Sequence, residues 1–258
     1  MISSKYNMLY PPLVQRIYAE ESRKGSKNRE KAVKTRLHQM FGAYVQGNAH
    51  KKAAALLQEL EAGKGINEIC AAIMALHAST KERLPYMEDF CRFVTTHTGP
   101  VETIIDLGCG FNPFSVTYWG MENLKAYYAY DIDTRTKDLL NRFFAYLCLP
   151  PAADCADLAV ETPAVKSDLS LMCKLVPVLE AQAPGRGFEL ARLQNASFLV
   201  ITYPLKSLGG REKGMGKNYA AQFEKAYAEG ALGGFSLAES REVGNELVYV
   251  LTKKVQYV

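Results

Sequence analysis

IIDLGCGFNP, residues 104–113, decides how the rest of the chain is read. Ile104 and Ile105 are β-branched and apolar, as suits a buried strand. Gly108 and Gly110 then end it. Glycine adopts backbone conformations closed to other residues and has no Cβ, so the pair permits a tight turn with a ligand close against the main chain. This is not the dinucleotide fingerprint G-x-G-x-x-G, because Phe111 to Phe114 supply no third glycine. Asp106 stands just before the glycines. A carboxylate there would repel a pyrophosphate but suits the ammonium of an amino-acid ligand. Asp131 lies 21 residues after Gly110, at the end of a second apolar run, AYYAYDID (126–133). An acid at that place is positioned to accept from ribose hydroxyls.

Outward from this turn, β-rich runs alternate with helical patterns. VETIIDLG (101–108), AYYAYDID, SDLSLM (167–172), ASFLVITY (196–203) and ELVYVLTK (246–253) read as strands. TKDLLNRFFAYL (136–147), KLVPVLEAQ (174–182) and NYAAQFEKAYAEG (218–230) read as the helices between them. Such alternation predicts an α/β fold with a mostly parallel sheet covered on both faces. SLAESREV, before the last strand, is expected to form an antiparallel hairpin at the sheet edge. Residues 11–75 read as helices instead, with breaks at Gly47 and at the G-K-G of 63–65. Ser79 followed by Glu82 is a capping box, which predicts a helix from about Thr80 through LPYMEDFCRFV, with Pro85 demanding a short or irregular first turn. The division expected is a helical, basic domain over 1–98 and an α/β domain over 99–258.

The net charge of +4 is unevenly spread. Residues 1–60 hold eleven Lys/Arg against four Glu, a net of +7; the remainder holds twenty against twenty-three, a net of −3. A basic front on a slightly acidic body suggests a polyanionic partner. The six cysteines show no C-x-x-C pair and read as reduced thiols of a cytoplasmic protein, not as a zinc site or a disulfide frame. No run of 18 apolar residues and no signal-peptide core is present, so no membrane role is expected.

The strand, the D-x-G-x-G turn and the acid closing the next strand resemble the S-adenosylmethionine site of Rossmann-like methyltransferases. Four further blocks narrow this. LHQMFGAY (37–44), HASTKERL (77–84), DLGCGFNP (106–113) and PLKSLGGREKGM (204–215) resemble, in the same order, the aminoglycoside-resistance 16S rRNA methyltransferases that modify N7 of guanine 1405. The resemblance implies a seven-stranded methyltransferase domain behind the helical one, and S-adenosyl-L-methionine as cofactor. It further implies 16S rRNA in the assembled 30S subunit as partner, with no metal, for a monomer that confers resistance to 4,6-disubstituted deoxystreptamine aminoglycosides.

Site residues follow from it one by one. Arg83 would meet the methionine carboxylate, for which a bidentate guanidinium is suited. His77, Ala78 and Ser79 would line the same end, although His77 alone reads as a core or capping histidine. Asp106, Gly108, Gly110 and Asp131 would hold the ligand from the sheet side. Asp157 and Leu158 would flank the adenine. Tyr44, Cys173 and Gln182 fall at further positions of contact. For rRNA, Lys24, Lys27 and Arg29 would meet phosphates from the front. TYPLKSLGGREKGMGKNY (202–219) carries four glycines and four cations, too polar and flexible for a core. Its Lys206, Arg211 and Lys213 would meet the rRNA near the target, and Tyr203 would stack on the extruded guanine.

Guanine N7 carries an in-plane lone pair and no proton at neutral pH, so no general base is needed, and no residue is assigned as a catalyst. Three other readings remain open from sequence. They are methylation of another base of the decoding region such as adenine N1, a small-molecule or protein methyltransferase, and a non-catalytic RNA-binding protein with a vestigial cofactor site.

Overall fold

The computed structural model describes residues 6–25, 28–42, 44–45, 47–120, 123–163, 165–206 and 214–254. Six helices come first: α1 (Pro11–Arg23), α2 (Arg29–Leu37), α3 (Ala49–Glu61), α4 (Ile66–Met74), α5 (Ala78–Arg83) and α6 (Met87–Thr98). Proline at the start of α1 fits a position whose N–H would be unpaired anyway. Asn28 caps α2 by accepting from Lys31 N. After Leu37 the helix widens into one turn, His38–Gly42, and stops. The expected capping box is not formed. α5 begins at Ala78, with His77 as its capping residue and no side-chain cap bond. The Thr80 hydroxyl instead donates back to Met74 O at 2.6 Å. Pro85 divides the expected single helix, because Leu84–Tyr86 forms a 3₁₀ turn between α5 and α6.

The second part alternates as expected. β1 (Thr103–Leu107), β2 (Ala126–Asp131), α7 (Thr134–Tyr146), β3 (Ala153–Cys155), β4 (Ser167–Cys173), α8 (Val176–Glu180) and α9 (Arg186–Arg192) are followed by β5 (Ala196–Pro204), α10 (Met215–Ala228), β6 (Phe235–Val243) and β7 (Glu246–Lys253). They build one seven-stranded sheet in the order β3-β2-β1-β4-β5-β7-β6. Only β7 is antiparallel to its neighbours, and β6–β7 is the edge hairpin. The chain order reverses between β1 and β4, and in such sheets ligands bind beyond the carboxyl ends of the strands at that crevice.

Period-two alternation sends Ile104 to one face and Ile105 to the other. Ile104 joins Leu169, Phe143 and the helical residues Leu57, Ile73 and Phe90 in one buried cluster. Ile105 joins Leu179, Leu190, Ile201 and Phe223 in another. Helices α3, α4 and α6 thus share their core with the sheet. The front tip has a separate small core of Leu9, Leu13, Ile17, Val33, Leu37 and Phe41. Each such side chain contributes roughly 1.5–3 kcal/mol when fully buried. This tip is stitched to the end of β2, where Tyr10 N donates to Ile132 O at 2.8 Å and Thr134 N to Met8 O at 2.9 Å. Among the described residues no helix is long and apolar enough to cross a membrane.

Candidate active site

A cavity opens beyond the carboxyl ends of β1, β2 and β4, and the front segment around Met40, Phe41 and Tyr44 closes it. The glycine turn forms its floor. Gly108 and Gly110 both have left-handed backbone (φ +67° and +49°). A Cβ at Gly110 would lie 2.8 Å from the His77 ring, and one at Gly108 2.9 Å from Leu175. The left-handed backbone strains any other residue at either place, and at Gly110 a side chain would also press on the His77 ring. Gly108 N and Cys109 N both donate to Tyr130 O, which fixes the turn against β2.

Asp131 lines the cavity and accepts from Gly110 N at 2.8 Å through one oxygen, and from Ile132 N and Asp133 N through the other. A carboxylate offers about four acceptor sites, so Oδ2 keeps about one for a ligand hydroxyl. Burial pushes this carboxyl up to about 6, opposed by the three backbone donors.

His77, Ser79, Arg83, Asp157, Leu158, Cys173, Gln182 and Tyr44 also line the cavity. His77 is buried, near-parallel to the Tyr44 ring (centroids 6.0 Å apart) and tilted against Phe111. Burial depresses its pKa to about 3, so the ring is neutral, and its Nδ1 has no partner among the described residues. Burial likewise raises the Cys173 thiol to about 12, which makes it an inert wall. Ala78 is off the wall; its N–H donates to Tyr44 O at 2.9 Å and so holds the front segment in place.

Several expectations are corrected. Asp106 is not on the cavity wall. It is fully buried, and its Oδ2 accepts from Asn112 Nδ2 and Tyr127 OH, each at 2.8 Å, so Asn112 stands at the wall in front of it. Oδ1 of Asp106 is left without a partner among the described residues. Arg83 does not present an open fork. Its Nε and Nη2 grip both oxygens of Glu246 at 2.8 Å, and Nη1 donates to Asn112 at 2.7 Å. Of its five N–H donors, two remain for a ligand. Against burial, which pushes it up, Arg83 and Lys174 hold the Glu246 carboxyl below its ordinary value.

Tyr203 cannot stack on a base. Its side chain is fully buried, within 5.3 Å of the Tyr219 ring centroid and 6.0 Å of that of Tyr249. The strand pleat turns it into the core on the α10 side, while the chain leaves the sheet only after Pro204.

A second cavity of about 580 Å³ adjoins the first and shares Met40, Tyr44, Lys174, Val178 and Gln182 with it. Arg36, Lys174 and Lys206 stand on its wall beside Glu82 and Tyr219, and Arg36 is paired with Glu20 and Glu21. Lys174 stands where the two meet. It has left-handed backbone (φ +56°), unusual for a residue with a side chain, and Nζ pairs with Glu82 at 2.8 Å and Glu246 at 3.4 Å. On the front surface Lys24 is exposed and paired with Glu21, and Arg29 is exposed over the Tyr18 ring. Lys27, Arg211 and Lys213 lie outside the described residues.

Asn112 and Lys174 on the cavity wall, and Arg16 and Glu246 held behind it by Asp157 and Arg83, are residues that sequence reasoning missed. Asn112 had a signal, its place two residues beyond the glycine turn. Arg16 and Glu246 had none, because their partners Asp157 and Arg83 lie 141 and 163 residues away in the chain.

A switch-point cavity floored by a glycine turn and closed by a strand-end acid, on a β3-β2-β1-β4-β5-β7-β6 sheet, defines a Rossmann-like methyltransferase. The structure of RmtF, a 16S rRNA methyltransferase in complex with S-adenosyl-L-homocysteine, superposes with a TM-score of 0.86 at 36% identity, covering 98% of this chain and 95% of that one. The 16S rRNA methylase RmtB gives 0.80 at 29% identity, covering 98% and 94%. The family model for ribosomal RNA methyltransferases (FmrO) matches residues 2–250, and the chain belongs to that family. A 16S rRNA (guanine(1405)-N(7))-methyltransferase from Micromonospora rosea is 32% identical over 97% of this chain and 93% of its own length. One from Serratia marcescens is 33% identical over 98% and 95%.

Proposed function

We propose that the protein methylates N7 of guanine 1405 in 16S rRNA of the 30S subunit, with S-adenosyl-L-methionine as donor, and so confers resistance to 4,6-disubstituted deoxystreptamine aminoglycosides. The observation that carries this reading is the pair of adjoining cavities, one floored by the glycine turn and one with three cations on its wall, meeting at Lys174.

The residues present fit the cofactor. The Gly108–Gly110 turn admits a ligand against backbone, and Asp131 keeps an acceptor site for a ribose hydroxyl. The two spare N–H groups of Arg83 suit a carboxylate. Asp157 and Leu158 would take the adenine. When bound, the cofactor supplies an electrophilic methyl on a sulfonium. The chain's own residues hold the acceptor in line and exclude water. Tyr44, Met40 and Lys174, common to both cavities, form the boundary across which transfer would occur. Positive charge moves from sulfur to the base as the methyl is transferred. N7 has no proton to lose, in keeping with a neutral His77 and an inert Cys173.

Residues 1–98 would dock on the subunit through exposed cations such as Lys24 and Arg29, with Lys27 beside them in sequence. Lys206, Arg211 and Lys213 would present the base. The test is to incubate 30S subunits and naked 16S rRNA with methyl-labelled cofactor and map the product by borohydride–aniline cleavage. Scission at guanine 1405 in 30S subunits is expected. Label on an adenine, or none on either RNA, would overturn the reading.

A further inference from the structure

We infer that Arg16, on the front helix α1, is a positioning residue that sets the adenine selectivity of the cofactor cavity by holding Asp157 and Gln182 in complementary states. The inference rests on the cofactor reading above. Arg16 is only 17% exposed, and the flanking Leu13 and Ile17 are buried in the front core, so α1 is anchored with this side chain turned inward. Its Nε donates to Asp157 Oδ2 at 2.6 Å, and Nη2 to Asp157 Oδ1 at 3.0 Å and to Gln182 Oε1 at 3.3 Å. Nη1 donates to Glu20 at 2.8 Å, and the other oxygen of Glu20 takes Arg36, a wall residue of the second cavity. Four of the five guanidinium donors are thus committed.

The chemistry follows from what arginine lacks, which is any acceptor. The Asp157 side chain is 2% exposed, and both of its oxygens face the Arg16 guanidinium. Gripped through both oxygens by Arg16, it turns acceptors alone toward its neighbours. An amide facing arginine must turn its oxygen inward, so Gln182 keeps Nε2 as a donor. One of its hydrogens goes to Val178 O at 3.2 Å and one remains. Both residues line the cavity. Arg16 therefore fixes an acceptor and a donor side by side. That pattern matches the amine and ring N1 of adenine, and it opposes the oxo group and N1–H of hypoxanthine.

The test is calorimetric titration with S-adenosylhomocysteine and with S-inosylhomocysteine, run on wild type, Arg16→Gln and Arg16→Lys. Wild type should prefer the adenosyl compound. Arg16→Gln should lose at least about tenfold in its affinity and most of that preference, about 1.4 kcal/mol or more. Arg16→Lys retains a cation for Asp157 but has no planar fork to hold two partners, so it should keep the fold and lose preference more than affinity. A merely structural role would weaken both ligands equally. Wild-type preference in Arg16→Lys, or an equal loss for the two ligands in Arg16→Gln, would overturn the inference. Wild type binding neither compound would place the fault in the cofactor reading itself.

Discussion

The glycine end and the arginine end of the cavity are assembled by different means. At the glycine end, the turn and the acid that caps it lie between residues 103 and 133. The bonds are backbone ones, or backbone to a single carboxylate, and strand pairing of β1 with β2 sets their geometry. At the arginine end, side chains meet across 163 residues in Arg83–Glu246 and across 141 in Arg16–Asp157. The first end is a product of local structure and should tolerate changes elsewhere. The second exists only once α1, α5 and β7 have packed, so it carries stability and binding together.

The largest effect expected from this contrast is on stability. Glu246→Ala would leave Arg83 and Lys174 buried without their carboxylate, with only Glu82 remaining to Lys174. Breaking a buried pair from one side costs about 3–5 kcal/mol. Thermal denaturation should show a drop in Tm of about 6–20 °C, at about 2–4 °C per kcal/mol for a chain of this size. A melting curve that overlays wild type would remove the distinction between the two ends.

At the glycine end the effect should fall on binding instead. Asp131→Ala removes a charged acceptor from the ligand, worth about 1.5–3 kcal/mol. Calorimetry with S-adenosylhomocysteine should show a loss of about ten- to a hundredfold. Circular dichroism should be unchanged, because the β1–β2 ladder stays intact. Wild-type affinity would move the ribose site elsewhere.

A pH series sharpens the same point. Burial raises Asp106 and Asp131 to about 6 from the ordinary 3.8, so the folded state holds more protons than the unfolded one between those values. The two groups therefore favour the fold at low pH, and that contribution is lost as pH rises from about 4 to about 6 and is flat above. Ligand binding should run the opposite way, weakening as Asp131 protonates below about 6. Asp131→Asn should flatten the binding profile; an unchanged profile would assign the titration to another group.

The smallest effect belongs to the front surface. Neutralising Lys24 and Arg29, both exposed, should change stability by no more than about 0.5 kcal/mol. It should lower the salt dependence of 30S binding by roughly 0.7–0.9 log units for each phosphate that is no longer neutralised. An unchanged salt slope in filter binding would leave these cations as solvated surface and confine docking to other residues.

Much of this was legible from residues alone, for particular reasons. The glycine turn and Asp131 were readable because a tight turn and a strand-end acid are set by neighbours in sequence. The alternating strands were readable because burial on both faces demands unbroken apolar runs. β3 left no pattern, since Ala153–Cys155 is too short to show a period. The capping box failed because its Ser79 lies inside the helix and His77, a residue with no capping signature, precedes it. Tyr203 is not legible as a core residue because it ends a strand that leads into a polar stretch, while its neighbours in space are Tyr219, Phe223 and Tyr249.

What the sequence determined by itself was the class of fold, the place of the switch point, and the residue types that floor the cavity. All of these depend on spacing along one stretch of chain. Only the tertiary structure decided who pairs with whom at the other end. A guanidinium has the same five donors wherever it stands, and packing alone turned Arg83 toward Glu246 and brought Arg16 onto Asp157. It also put Asn112 in front of Asp106, because a buried carboxylate at the end of a central strand must find its donors among whatever side chains fold over it.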